Sequence, residues 1–234
     1  MRKTGVALAA MLWLAMAALC LHAAFPPPEA QAATALQAGV PEGKWVLISI
    51  PQKRLTLYQG TTVLQTYPIA TGKWDTPTPI GVYRVNSRFA GELSGFGTRF
   101  LGLNVPWGKF GIHGTNKPGS IGQNASHGCI RMRVADSEAL YAAVPNGAKV
   151  VLEGGPYGLL DTSLRALRPG DRNSHVVAVQ ERLRALGYYF GSADGIYGAG
   201  TQQAVLRARK ALGLPASENV DHAFYRAIGL ILFE

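Results

Sequence analysis

From residue 44 to residue 153 the apolar residues come in short runs broken by glycine and proline, and this patterning constrains the fold more than any other feature. "KWVLISI" and "RLTLYQG" each read as a strand, the second alternating Leu55 and Leu57 with Thr56 and Tyr58. "TTVLQTYPIA" follows Gly60, so the first three segments read as a β-meander. Further runs at "GVYRVNS", "FGIHG" and "AKVVLEG" are separated by loops such as "TGKWDTPTPIG", and at least six strands are expected before residue 154. One helix interrupts them: Asp136 can cap "SEALYAAV", with Leu140 and Val144 on one side and "PNG" as its stop. Beyond residue 168 the period changes. Val176, Val179, Leu183 and Leu186 recur at helical spacing, Ala204, Val205 and Leu212 suggest a second helix from near Thr201, and a third fits residues 222–228. The expectation is a mainly β domain of sandwich or meander type with one or two helices over 44–154, a linker over 155–167, and a small all-α three-helix domain over 168–234.

The first residues read as an export signal. Arg2 and Lys3 precede an apolar run, and small residues follow in "PPPEAQAATA". Cleavage after Ala32 would satisfy the small-x-small rule through Ala30 and Ala32, so 1–32 is expected as a signal peptide and 33–43 as a linker. The rival reading, an uncleaved anchor, is weakened by His22 and the prolines after it. A lipidated Cys20 is weakened by Leu19, which stands where such signals need a small residue. Cleavage removes Cys20 and leaves Cys129 as the one thiol, so no internal disulfide can form; an unpaired cysteine outside the cytoplasm is tolerated, paired to another chain, or used. The formal charge of the whole chain is +9. Without Arg2, Lys3 and Glu29 it is 21 basic against 13 acidic residues, or +8. Such a balance favours polyanions. The interleaved aromatic and basic residues of single-strand binders are missing, so an anionic cell wall fits better than nucleic acid.

"IHGTNKPGSIGQNASHGCIRM", residues 112–132, places His113, Ser126, His127 and Cys129 in a glycine-rich stretch without a negative charge. A thiol attacks as its thiolate, and an ordinary pKa of about 8.5 leaves little of that form at neutral pH. It therefore needs a base, and the base needs a group to aim it. If 127–129 form a tight turn, His127 diverges from the thiol, whereas His113 arrives from another strand and can face it. Gly128 can take a positive φ, so the amides of Gly128 and Cys129 can point at a developing oxyanion. The bland rivals are a buried, inert Cys129, an Arg131 that merely bridges to Asp136, a Ser126 that only holds the turn, and a zinc site. Zinc lacks a third strong ligand at regular spacing.

The same stretch resembles the signature of the L,D-transpeptidases with a YkuD-type catalytic domain: His113-Gly114, a loop, then Ser126, His127, Gly128, Cys129, Ile130 and Arg131. "LGLNVPWGKFGIHGTN" and "NGAKVVLEG" agree as flanks. The resemblance implies a cysteine that attacks the carbonyl between the L-centre of the diamino acid at position three of a peptidoglycan stem and the D-Ala at position four. A neighbouring stem's amine then resolves the thioester into a 3→3 cross-link. Carried over, Cys129 is the nucleophile, His113 the base, and the Gly114 carbonyl its orienter. Arg131, His127 and Ser126 are the substrate-facing candidates, with Arg131 suited to a carboxylate.

"RPGDRNSHVVAVQERLRALGYYFGSADGIYGAGTQQAV" resembles the three-helix peptidoglycan-binding domain through "LRPGD", "VQERLRALGYY" and "DGIYGAGT". Asp194-Gly195 and residues 198–200 form a glycine-rich loop that lets the backbone approach a ligand, and Tyr188, Tyr189 and Tyr197 offer flat faces or fill the small core. "ARKAL" around Ala208 and Arg209 departs from the family pattern. The combined expectation is a secreted, monomeric cell-wall enzyme with no metal or cofactor, acting on peptidoglycan stem peptides and glycan. It has no nucleic-acid partner and no stable membrane association after leader cleavage. The rivals are an L,D-carboxypeptidase or endopeptidase that uses water, and a wall-binding protein without catalysis.

Overall fold

The computed structural model describes residues 41–155, 158–160 and 164–231. The expected leader and most of the linker after it lie outside these residues. No helix among those described is long and apolar enough to cross a membrane.

Ten strands build the β part: β1 (Lys44–Ser49), β2 (Arg54–Gln59), β3 (Thr62–Pro68), β4 (Thr71–Gly72), β5 (Gly81–Leu93), β6 (Gly97–Leu103), β7 (Phe110–Gly114), β8 (Asn124–Ser126), β9 (Ile130–Met132) and β10 (Lys149–Glu153). Eight form one sheet in the order β3-β2-β1-β10-β5-β6-β7-β9, and β4 pairs with β8. The meander holds for β1 to β3. Beyond them β10 inserts between β1 and β5, parallel to β1 and antiparallel to β5, and β7 runs parallel to β9. The long β5 serves both halves, pairing with β10 through residues 81–84 and with β6 from Val85 onward. Beyond β3, Ala70 exchanges backbone hydrogen bonds of 2.8 and 2.9 Å with Arg131 of β9, so the two edges of the sheet meet beside Cys129.

The apolar faces bury one core that includes Val46, Ile48, Leu55, Val85, Leu101, Ile112, Ile130, Met132, Leu140 and Val150. Each such side chain contributes roughly 1.5–3 kcal/mol on burial. The single helix of this part, α1, spans Val134–Ala143. Its N-cap is Arg133 rather than Asp136, which lies in the first turn, where a carboxylate favours the helix dipole. Leu140 and Val144 are buried as the spacing required.

Three helices follow: α2 (Ser174–Ala185), α3 (Ala199–Ala211) and α4 (His222–Ala227). The Asn173 side chain accepts from the Val176 amide to cap α2, and Asp221 accepts from Phe224 to cap α4. They bury a second core containing Val176, Val179, Leu183, Ala204, Val205, Phe224 and Ile228. Leu160 and Leu167, in the segment expected as a linker, pack into this core. Tyr197 is 1% exposed and its hydroxyl donates to the Glu218 carbonyl, so it fills the core and offers no face to a ligand. Arg209, 2% exposed, is equally structural. Its guanidinium donates to the carbonyls of Asn219 and Pro215 and pairs with Asp221 at 2.7 Å.

Candidate active site

The parallel β7–β9 ladder sets the site. His113 is the register partner of Arg131, and Ile112 that of Ile130. Residues paired in this way share a face, and side chains two apart along extended backbone return to the same face. Cys129 immediately precedes β9, and the Arg131 charge acts on both its thiol and the His113 ring. The Gly111 amide, on β7, donates toward the Cys129 sulfur.

His113 is 2% exposed. Its Nδ1 lies 2.5 Å from the Gly114 carbonyl, and the Phe96 carbonyl also faces the ring. An imidazole that donates Nδ1–H to Gly114 carries its lone pair on Nε2. The Phe96 ring covers it at a centroid distance of 4.5 Å, and the Phe100 ring lies near parallel at 6.0 Å. Burial drives the His113 pKa down to about 4, against the pull of the Gly114 and Phe96 carbonyls, and the Arg131 charge lowers it further. Burial raises the Cys129 thiol, partly offset by the Gly111 amide and by Arg131. At neutral pH the Cys129 thiol and the His113 imidazole are therefore both uncharged.

The turn before Cys129 is held by Ser126. The Gly128 amide donates to Ser126 Oγ at 3.0 Å, and that hydroxyl donates to the Cys129 carbonyl at 2.6 Å. Ser126 is 1% exposed, so it cannot reach a ligand, and this corrects its assignment to substrate. The Gly128 amide is likewise committed, which removes it from the expected oxyanion pair. Gly128 itself is required: its φ is +110°, and a Cβ there would lie 2.5 Å from the Phe110 ring. Lys73 N and Thr76 Oγ1 both donate to the Ser126 carbonyl, at 3.0 and 3.2 Å, so the loop after β4 braces the same turn.

His127 is exposed at the turn's outer side. Arg131 does not bridge to Asp136; ion pairs seen among the described residues include Arg168–Asp171 and Arg209–Asp221. Arg131 Nε is buried with no hydrogen-bond partner, and so is Asp136 Oδ2. No three His, Cys, Asp or Glu side chains among the described residues converge to hold a metal ion. The Gly111 amide and the Phe96 carbonyl and ring were missed from sequence, since backbone groups and a hairpin-tip aromatic carry no signature.

Residues 43–152 match the L,D-transpeptidase catalytic domain (YkuD) model, and residues 172–228 match a peptidoglycan binding domain model. The chain is 39% identical over 137 residues to a protein of Bacillus subtilis (strain 168) named L,D-transpeptidase YkuD, covering 52% of this chain and 82% of that one. It is 41% identical over 105 residues to the Bacillus licheniformis protein of that name, covering 45% and 62%. Among solved structures, L,D-transpeptidase 3 from Mycobacterium tuberculosis aligns at 20% identity and a TM-score of 0.42, over 47% of this chain and 60% of that chain. With two-fifths of positions shared across four-fifths of the first relative, the chain belongs to the YkuD family of L,D-transpeptidases.

Proposed function

We propose that the chain is a cysteine L,D-transpeptidase that works on peptidoglycan stems outside the cytoplasm and joins them through 3→3 links. The observation that supports this is the β7–β9 register, which pairs His113 with Arg131, two residues from Cys129, in a chain of the L,D-transpeptidase family. In the first half-reaction the Cys129 sulfur attacks the carbonyl of the position-three residue while its proton passes to His113 Nε2. The Gly114 carbonyl keeps the ring aimed through Nδ1. The C–N bond to D-Ala then breaks, and the imidazolium returns the proton to the departing amine. In the second, an amine of another stem attacks the thioester and gives its proton to His113. The C–S bond breaks, and the thiolate recovers that proton. Arg131, with its buried and unpartnered Nε, suits the carboxylate of the leaving D-Ala. The leader-like first residues support export.

The test is mass spectrometry of products from a defined tetrapeptide donor and acceptor. The native chain is expected to release D-Ala and form dimers, and Cys129→Ala to do neither. Undiminished D-Ala release by Cys129→Ala would refute the assignment. Tripeptide without dimer would make water the acceptor and the enzyme a carboxypeptidase.

A further inference from the structure

The helical module does not hang free of the β part. Ser174, the first residue of α2, is 5% exposed. Its hydroxyl accepts from the Ile80 amide at 2.8 Å and donates to the Ile80 carbonyl at 3.3 Å. The glycine-rich loop expected to meet a wall ligand instead meets Trp107: a Cβ on Gly195, whose φ is +74°, would lie 2.4 Å from that indole. Arg165 sits over the Trp74 ring at 4.6 Å. Between these contacts lies a cavity of about 240 Å³ with Asp75, Trp107, Phe110 and His127 on the β side and Arg172 and Asn173 on the helical side.

This cavity borders the nucleophile turn. Phe110 and the Pro77 carbonyl pack beneath Gly128, and His127 is two residues from Cys129. Its floor is aromatic and its rim carries one carboxylate, one guanidinium and one imidazole. Neither Asp75 nor Arg172 has an ion-pair partner among the described residues. Arg172 stands just before α2, where the helix dipole adds to its positive potential. Its backbone is pinned by a bridge to Ile196. Charges of both signs over an aromatic floor match a peptide that carries free carboxylates and an amine. A neutral glycan would leave both charges unmatched, and a polyanion would meet Asp75. Pockets that enclose a drug-sized ligand run to roughly 300–1,000 Å³, so this smaller one takes one end of a peptide.

We propose that this cavity is a stem-peptide subsite built jointly by the catalytic and helical modules, in which Arg172 binds a stem carboxylate beside the Cys129 turn. The proposal rests on the stem-peptide reading of the site, and it makes the helical module a wall of the substrate cleft as well as an adhesive. The carboxylate can come from the donor stem or from the acceptor stem.

Binding is measured first, by calorimetric titration of a soluble D-Ala-terminated tetrapeptide stem into the full-length Cys129→Ala chain and into Cys129→Ala/Arg172→Ala. Loss of a charged hydrogen bond predicts a Kd about tenfold weaker in the double variant. Arg172→Lys, which keeps the charge but not the two-pronged fork, should fall between them, whereas Lys210→Ala, an equal loss of charge, should match the parent. Equal Kd values for the parent, the Arg172→Ala form and the Arg172→Lys form would overturn the proposal. Turnover with Cys129 intact then separates the sources. A donor carboxylate predicts an apparent KM for D-Ala release about tenfold higher in Arg172→Ala. An acceptor carboxylate predicts an unchanged KM and a lower ratio of dimer to tripeptide. A Kd shift in a chain that releases no D-Ala would sink the transfer chemistry while leaving the cleft in place.

Discussion

His113 is buried as a neutral imidazole, and that has a measurable cost in acid. Its pKa falls from an ordinary 6.5 to about 4 because burial disfavours the charged ring. Between those two values the unfolded chain binds a proton that the folded chain refuses, so stability rises with pH across the window. The full stability is present above pH 6.5, is lost progressively as pH falls, and the loss is complete below about pH 4. Each pH unit is worth about 1.4 kcal/mol, giving a total of about 3 kcal/mol. With the ring 2% exposed, little of this is screened by solvent. Urea unfolding of the native chain and of His113→Asn, followed by tryptophan fluorescence at pH 7, 5.5 and 4.5, isolates this one ring, because every other titration is common to both chains. The native chain should lose about 2–3 kcal/mol more than the variant between pH 7 and pH 4.5. Equal pH slopes for the two chains would refute the neutral buried base.

Two substitutions probe the supports of the site and of the module. Ser126→Ala deletes the acceptor of the Gly128 amide and the donor to the Cys129 carbonyl, leaving a buried N–H unpaired at a cost of about 1–3 kcal/mol. A fall in D-Ala release of at least tenfold should accompany a modest drop in thermal midpoint, and unchanged kinetics would show that the turn holds its shape without the hydroxyl. Arg209→Ala should destabilise the helical module by about 1–3 kcal/mol, since it removes a buried guanidinium that donates to Asp221 and to the carbonyls of Asn219 and Pro215, partners that water can reach. The check is loss of a helical unfolding transition by circular dichroism, with the β-sheet transition preserved.

The features legible in the sequence are those written in neighbouring residues. The short apolar runs announced β1 to β3, β7 and β10, and helical spacing found α2 and α4 almost to the residue. The Gly128–Cys129 motif and the distant His113 carried the family resemblance, and the match over residues 43–152 spans them. What escaped was settled across long distances in the chain. Nothing near Val150 says that it slots between Val46 and Tyr83. Nothing in "DGIYG" says that Gly195 faces Trp107 or that Tyr197 turns inward. Ser126 looked available to a ligand because its two backbone partners, close in sequence, meet its hydroxyl only once Gly128 takes its positive φ.

The parallel pairing of β1 with β10 ties the beginning of the sheet to its last strand. A ribosome-bound chain that lacks Val150 and its neighbours leaves Val46 paired only with Leu57 of β2, so the β10 side of β1 stays open until residue 153 is free. Contacts this distant slow collapse to the finished state. The same clasp means that a protease cut in an exposed loop between the two strands would leave both fragments laced together along a shared ladder.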